Sequence, residues 1–249
     1  MQVLISPVSL EEAASIIEAK ADIIDFKNVN EGSLGAQFPW IITDLVDFIH
    51  GHGVTASATL GDLPYKPGTA ALAAYGVAQC GVNYIKAGLY GLNTYAQAVE
   101  MMEAIRRAVR MVSADAKVVA SGYADYRRFN GLSTWDLVRA AKAAQCDVVM
   151  VDTAIKDGKT LFDVLTLDEI NDFVGMAKEA KMQVALAGSI KAEHAEELLK
   201  IQPDIIGVRW AVCGGTDRYS KISVEKTKAF LKLFHKDALE VEVGEKIPT

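Results

Sequence analysis

The strongest constraint on the fold is a regular alternation of short apolar runs with longer amphipathic segments. Eight apolar runs recur at a spacing of roughly thirty residues, as expected for consecutive strand–helix units. They are rich in β-branched or small residues and are often continuous, as strands buried on both faces of a parallel sheet should be. The runs cover residues 3–7, 23–28, 54–60, 84–89, 117–125, 148–155, 184–190 and 205–213.

The segments between these runs have the three- and four-residue spacing of helices that bury one face. Ser9 and Glu12 form a capping-box pattern at the start of the first segment, and Ser133 and Thr166 open later ones. No Gly/Pro-rich linker interrupts the series. We therefore predict an α/β fold, a single (β/α)8 TIM barrel over residues 1–236, followed by a polar tail over residues 237–249. A doubly wound open sheet is the alternative, but eight even units favour the closed barrel.

The composition narrows the class of protein. Of the 249 residues, 51% are hydrophobic and 23% are charged, as in ordinary globular proteins. A net charge of -6 argues against nucleic-acid binding, and no apolar run reaches the roughly 18 residues that a membrane span requires. Three widely separated cysteines without CxxC spacing predict reduced thiols and a cytoplasmic location. The sequence has no metal-binding motif, so we predict no metal site.

Charged side chains at the ends of alternate predicted strands are the most unusual feature of the sequence. The second run ends with Asp25 and Lys27, and the fourth run contains Lys86. The sixth run contains Asp152 and leads to Lys156. Chemistry in such barrels takes place at the carboxyl ends of the strands, and alternate strands contribute to the same layer of side chains. These five groups are therefore predicted to reach one pocket.

The charges at the strand ends have a structural and a chemical interpretation. In the structural one, Lys27 pairs with Asp25 or Asp152 and only orders the mouth of the barrel. In the chemical one, burial and neighbouring ammonium groups lower the pKa of one lysine from its ordinary value of about 10.4 and make the amine nucleophilic. Such an amine forms a Schiff base with a carbonyl substrate, while a second lysine or an acid moves protons. Three lysines at the catalytic end favour the chemical interpretation.

A phosphate site is predicted after the seventh and eighth runs. Gly188 and Ser189 follow the seventh run, while Arg209 lies in the eighth and leads to Gly214 and Gly215. Loops at these two positions commonly hold phosphate in (β/α)8 barrels. Glycines let backbone amides approach an anion closely, and arginine supplies positive charge. We interpret the five residues as phosphate-binding.

Seven motifs together resemble those of the (5-formylfuran-3-yl)methyl phosphate synthases, and the resemblance extends over nearly the whole chain. The motifs are "DFKNVNEGSLGA", "SATLGDLPYKPGT", "YIKAGLYG", "SGYAD", "VDTAIKDGKTLFD", "ALAGSI" and "GVRWAVCGGTDR". The resemblance implies a (β/α)8 lyase of methanofuran biosynthesis that joins two molecules of glyceraldehyde 3-phosphate and uses no cofactor. The product keeps one phosphate, while the other phosphate and two waters are lost.

The resemblance also implies roles for the residues at the strand ends. Lys27 lies in the family's D-x-K-N motif and would be the Schiff-base lysine. Lys86 lies in the YIK motif and would transfer protons. Lys156 matches the third lysine of the pattern, with Asp25 and Asp152 as acidic partners.

The sequence departs from the expected pattern at one position and leaves other functions open. Arg209 is followed by Trp210, where the family pattern leads us to expect glycine. A class I aldolase acting on another sugar phosphate would share the Schiff-base lysine and the phosphate site. A non-catalytic barrel that binds phosphorylated metabolites would share the phosphate site but has no need of a neutral amine. Association into a homo-oligomer is compatible with the sequence.

Overall fold

The eight apolar runs form a closed barrel of parallel strands in the computed structural model, which describes residues 1–215 and 220–235. The strands are β1 (Gln2–Ile5), β2 (Ile23–Phe26), β3 (Thr55–Asp62), β4 (Tyr84–Gly88), β5 (Lys117–Tyr123), β6 (Val148–Asp152), β7 (Gln183–Leu186) and β8 (Ile205–Val208). Their order around the barrel is their order in the chain, and β8 pairs with β1 along the whole of both strands. The predicted barrel is confirmed. The alternative, a doubly wound open sheet, is wrong, because β8 pairs with β1 and closes the sheet. The tail predicted over residues 237–249 lies outside the described residues.

Helices follow the strands and cover the outside of the barrel. They are α1 (Leu10–Glu18), α2 (Pro39–Ile49), α3 (Pro67–Gln79), α4 (Tyr95–Arg110), α5 (Thr134–Ala143), α6 (Leu161–Val164), α7 (Leu167–Glu179), α8 (Ala195–Ile201) and α9 (Val224–Lys232). The predicted caps Ser9, Ser133 and Thr166 each accept a hydrogen bond from a backbone amide of the first helical turn. Within residues 1–215 and 220–235, no helix is both long enough and apolar enough to cross a bilayer.

Strand side chains alternate between two environments. Outward-facing residues such as Ile24 and Val149 pack against the helices and form the main core. Inward-facing residues such as Leu4 and Tyr84 form a separate apolar cluster in the lower part of the barrel. Above that cluster, toward the carboxyl ends of the strands, inward positions carry buried polar residues that include Asp25, Ser57, Lys86 and Asp152. The change from apolar to polar inside the barrel defines where chemistry is available.

A buried ion pair fastens the end of β8 to the start of α1. The Arg209 guanidinium donates to both carboxylate oxygens of Glu12, at 2.8 and 3.2 Å, and to the Ser6 carbonyl at 2.7 Å. Burial alone would raise the pKa of Glu12, but the hydrogen bonds from Arg209 and from the Val8 amide bring it below its ordinary value. Only half of the predicted capping box is formed. The Ser9 hydroxyl accepts a hydrogen bond from the Glu12 amide, whereas the Glu12 carboxylate accepts hydrogen bonds from Arg209 and from the Val8 amide.

Replacing Glu12 by glutamine should lower the free energy of unfolding by about 3 kcal/mol, because it leaves the buried charge of Arg209 without its counter-ion. Urea unfolding measures the difference. Glu11→Gln is the matched control, since Glu11 precedes Glu12 on α1 but is exposed and pairs with the exposed Lys221. Equal losses in the two variants would contradict a stabilising role for the buried pair.

Candidate active site

A cavity of about 370 Å³ opens at the carboxyl ends of the strands. All five charged residues predicted at the strand ends line it, and so do three of the five predicted phosphate ligands. The first group is Asp25, Lys27, Lys86, Asp152 and Lys156, and the second is Gly188, Ser189 and Arg209. The remaining two, Gly214 and Gly215, are not among its lining residues. The alternation of strands thus brings distant parts of the sequence to one site, while the functional role of each residue stays a prediction.

Asp25 and Lys86 form an ion pair at the centre of the site. The Lys86 ammonium lies 2.6 Å from Asp25 Oδ2, and both side chains are almost completely buried. The hydroxyls of Ser6 and Ser57 donate to the same carboxylate, at 3.1 and 2.9 Å. The Asp25 carboxylate therefore accepts three hydrogen bonds, one of them from the Lys86 ammonium.

Asp152 and Lys156 form a second ion pair, closer to the rim. Lys156 Nζ lies 2.8 Å from Asp152 Oδ1 and 3.1 Å from the Thr153 hydroxyl. Burial alone would raise the pKa of Asp152, but the charges of Lys156 and Lys27 and the hydrogen bonds from Lys156 and the Thr153 amide lower it to about 2. Asp152 is therefore an anion throughout the neutral pH range.

Lys27 differs from the other two lysines. Its ammonium donates to the Ser33 carbonyl at 3.3 Å. Among the salt bridges of the described residues, Lys86 and Lys156 each hold a carboxylate and Lys27 holds none. Burial lowers the pKa of Lys27 to about 8, against the opposing charges of Asp152 and Asp25 and with the help of the two neighbouring ammonium groups. Lys27 is thus the lysine of this cavity that most readily becomes a neutral nucleophile.

The loops that carry Lys27 and Lys156 are tied together. The Ser33 hydroxyl, in the loop after β2, donates to the Thr153 carbonyl at 2.8 Å. Asp125, just after β5, accepts the backbone amides of Ala154 and Ile155, at 2.7 and 2.9 Å. Sequence reasoning missed Asp125, although its place at the end of an apolar run was a usable signal.

The loop after β7 has the tight geometry expected of a ligand-binding turn. Gly188 has a φ of +113°, and a Cβ there would lie 3.0 Å from Thr153 Cγ2, so a larger residue would displace the loop after β6. Ser189 also has a positive φ, of 50°. Both residues line the cavity.

The other predicted phosphate ligands are placed differently. Arg209 lines the cavity, but its guanidinium is engaged with Glu12 and the Ser6 carbonyl. The Gly214 amide donates to the Lys221 carbonyl at 2.7 Å, beside a short antiparallel bridge, so that N–H is not available to an anion.

Three residues of the site were missed by sequence reasoning. Ser6 and Ser57 hold Asp25, while Lys191 lines the cavity near its rim. Trp210, noted in the sequence as a departure from the expected glycine, also lines the cavity. The position of Ser57 on the inward face of β3 was the available signal, but a serine in an apolar run is also a common core residue. Within residues 1–215 and 220–235, no group of three or more His, Cys, Asp or Glu side chains is arranged to hold a metal ion.

One family model and several known proteins match this chain over nearly its whole length. The model of one family, described as 4-HFC-P synthase, matches residues 3–231. The (5-formylfuran-3-yl)methyl phosphate synthase of Archaeoglobus fulgidus is 50% identical over 235 residues, which cover 94% of this chain and 100% of that protein. The synthase of the same name from Methanocaldococcus jannaschii is 50% identical over 218 residues, which cover 88% of this chain and 92% of that protein.

Solved structures of lower identity share the barrel. The 3-hexulose-6-phosphate synthase from Salmonella typhimurium has a TM-score of 0.60 and 17% identity, covering 94% of this chain and 100% of that one. KGPDC from Streptococcus mutans has a TM-score of 0.62 and 11% identity, covering 93% of this chain and 95% of that one. At such identities the similarity shows the fold alone.

Lys27 should react with amine reagents as a group that titrates near pH 8. Half of its side chains are neutral at that pH, whereas an exposed lysine, with a pKa of about 10.4, is almost entirely protonated. Competitive acetylation across a pH series, read by peptide mass, measures the midpoint for Lys27, with exposed lysines as internal references. In Asp152→Asn the midpoint should fall, because the charge that most favours the ammonium is removed. A midpoint near that of the exposed lysines in the folded protein would contradict the description of the site.

Proposed function

The chain belongs to the 4-HFC-P synthase family, and we propose that it makes (5-formylfuran-3-yl)methyl phosphate from two molecules of glyceraldehyde 3-phosphate in methanofuran biosynthesis. The observation that carries the proposal is Lys27, a lysine of lowered pKa that lies in a cavity between two lysine–carboxylate pairs. The six carbons of the two trioses supply the furan ring, the aldehyde and the phosphorylated methylene. Loss of one inorganic phosphate and two waters balances the remaining atoms.

Lys27 is the proposed nucleophile. The neutral amine, about a tenth of the population at pH 7 for a pKa of about 8, attacks the aldehyde carbon of one triose phosphate. Loss of water from the carbinolamine gives a protonated imine that withdraws electrons from the neighbouring carbon. Removal of the proton at C2 then gives an enamine. Enamine chemistry supplies two steps, which are the expulsion of the phosphate at C3 with cleavage of its C–O bond and the attack on the carbonyl of the second triose that forms the new C–C bond.

Lys86 is the proposed proton carrier. In the resting site it is an ammonium held at 2.6 Å by Asp25, so its first act is to donate a proton to an oxygen that is leaving or gaining charge. The resulting neutral amine then accepts a proton in a later step. The Asp25 carboxylate accepts a hydrogen bond from the restored ammonium and so positions Lys86.

Lys156 and Asp152 are proposed to support the charges of the reaction. The pair lies beside Lys27 and its ammonium contributes to the low pKa of that residue. Asp152, an anion with a pKa of about 2, attracts the positive charge of the imine once Lys27 has reacted. Ring closure and the loss of two further waters complete the furan. The water added across the imine to release Lys27 replaces the one that was lost when the imine formed.

Purified protein given glyceraldehyde 3-phosphate should form a furan aldehyde phosphate together with an equal amount of inorganic phosphate. Ultraviolet absorbance and mass identify the furan, and a phosphate assay measures the release. Lys27→Ala should lower turnover by at least about a thousandfold, because it removes the covalent route. Lys159→Ala is the matched control, an exposed lysine three residues after Lys156 that does not line the cavity, and it should turn over normally.

Borohydride separates this proposal from its rivals. Reduction in the presence of the triose should add a substrate-derived mass to Lys27 in the wild type and in Lys159→Ala. Consumption of triose without furan, with the adduct still formed, would favour a class I aldolase. Folded protein that binds the triose but forms neither adduct nor furan would favour a non-catalytic barrel.

Removing Lys86 should slow turnover but leave imine formation intact. Because Lys86→Met alone would bury the Asp25 carboxylate without its counter-ion, the informative variant carries Lys86→Met and Asp25→Asn together. We expect its turnover to fall by about a hundredfold or more, since proton transfer is lost, while borohydride still traps substrate on Lys27.

The single variant Asp25→Asn shows the effect of removing the carboxylate while Lys86 remains, with the Lys86 ammonium left buried without its counter-ion. Unchanged turnover in the double variant would contradict the proton-transfer role. Loss of trapping in the double variant, with folding preserved, would instead assign Lys86 to the covalent step.

A further inference from the structure

Within residues 1–215 and 220–235, the charges that line the cavity leave one cation without a buried counter-ion. Lys86 is neutralised by Asp25, Lys156 by Asp152, and Arg209 by Glu12, each at 2.8 Å or closer and each with a largely buried carboxylate. Lys27 has to be neutral to attack a carbonyl, so it does not balance an anion in the reactive state. Lys191 is the remaining lysine among the lining residues.

Arg209 is poorly placed to supply the charge that a phosphate needs. Its guanidinium already serves both oxygens of Glu12 and the Ser6 carbonyl in a buried arrangement. Drawing it toward a ligand would leave Glu12 buried and unpaired, which is costly. Arg209 therefore acts chiefly through the fold, although sequence reasoning assigned it to the phosphate.

Lys191, in contrast to Arg209, is paired with an exposed carboxylate. Its ammonium lies 3.2 Å from Glu193 Oε1, but the Glu193 side chain is 67% exposed, so water and salt weaken that pair. The ammonium also lies 5.7 Å from the centre of the Trp210 ring, within the range of a cation–π interaction. The indole thus holds the lysine at the rim of the cavity without neutralising it.

Backbone donors lie next to this cation. Ser189 and Ile190, which precede Lys191, line the cavity. Among the hydrogen bonds of residues 1–215 and 220–235, none uses the backbone N–H of Ser189 or Ile190. Gly188 allows the close approach of this turn to the loop after β6. An ammonium beside amides that have no acceptor suits a phosphate group, which has several acceptor oxygens.

We propose that Lys191, held over Trp210, is the cation that binds the phosphate of a triose phosphate in this cavity, together with the amides of Ser189 and Ile190. The identity of the ligand rests on the proposed function, whereas the binding of an organic phosphate does not. Trp210, where glycine was expected, is then the residue that orients the cation and forms a wall of the phosphate pocket.

Equilibrium binding of glycerol 3-phosphate tests the proposal, because this probe carries the phosphate but has no carbonyl with which to form an imine. Calorimetry at low salt should show binding by the wild type and a loss of about tenfold or more in Lys191→Met, as expected for removal of a charge-assisted contact. Lys191→Arg, which keeps the charge, should stay within about threefold of the wild type. Lys200→Met is the matched control on α8, an exposed lysine that pairs with Glu196 and Glu197, and its affinity should not change.

A second variant tests the competing carboxylate. Glu193→Gln removes the exposed partner of Lys191 and should tighten binding of the probe by about twofold at low salt. In steady-state kinetics with glyceraldehyde 3-phosphate, Lys191→Met should raise KM about tenfold with little change in kcat, because binding rather than chemistry is altered.

Wild-type affinity for glycerol 3-phosphate in Lys191→Met would overturn the inference, as would weaker binding in Glu193→Gln. Failure of the proposed function has a different signature. Absence of furan from the wild type, with Lys191-dependent binding of glycerol 3-phosphate intact, would remove the proposed reaction and leave the phosphate site. Furan formation by the wild type, together with wild-type affinity for glycerol 3-phosphate in Lys191→Met, would support the proposed reaction and remove the proposed phosphate site.

Discussion

The site depends above all on the buried ion pair between Asp25 and Lys86. A lysine can be buried inside the barrel because the Asp25 carboxylate lies 2.6 Å from its ammonium. Two serine hydroxyls donate further hydrogen bonds to that carboxylate. These four residues belong to β2, β3, β4 and the end of β1, so the pair also fixes how those strands meet at the top of the barrel. Replacing the pair by apolar residues would be compatible with a stable barrel, but it would remove two charged groups from the lining of the cavity.

Lys86 and Lys156 are each paired with a carboxylate, and this distinguishes them from Lys27, whose pKa is lowered. Removal from water, helped by two nearby ammonium groups, lowers the pKa of Lys27, while two carboxylates limit the fall to about 8. The same carboxylates hold Lys86 and Lys156 in place. The same set of charges therefore pairs two of the three lysines with a carboxylate and leaves Lys27 without such a partner among the described salt bridges.

Sequence reasoning reached the barrel and the lysines because both follow from local patterns. Alternating apolar runs fix the strands, and strand ends fix which residues share a cavity, as the positions of Lys27 and Lys156 confirm. It did not reach the partner of Arg209, because Glu12 lies 197 residues away and meets it only when the barrel closes. It also missed Lys191, whose significance appears once the other cations have been matched with their carboxylates.

The closure of β8 on β1 completes the surroundings of Lys27. Lys27 lies near the start of the chain, whereas the cavity around it is also lined by Asp152 of β6, by Val208 of β8 and by Arg209. A barrel without its last strand lacks part of the cavity wall. The lowered pKa of Lys27 therefore belongs to the closed barrel, and not to the residues that neighbour this lysine in the sequence.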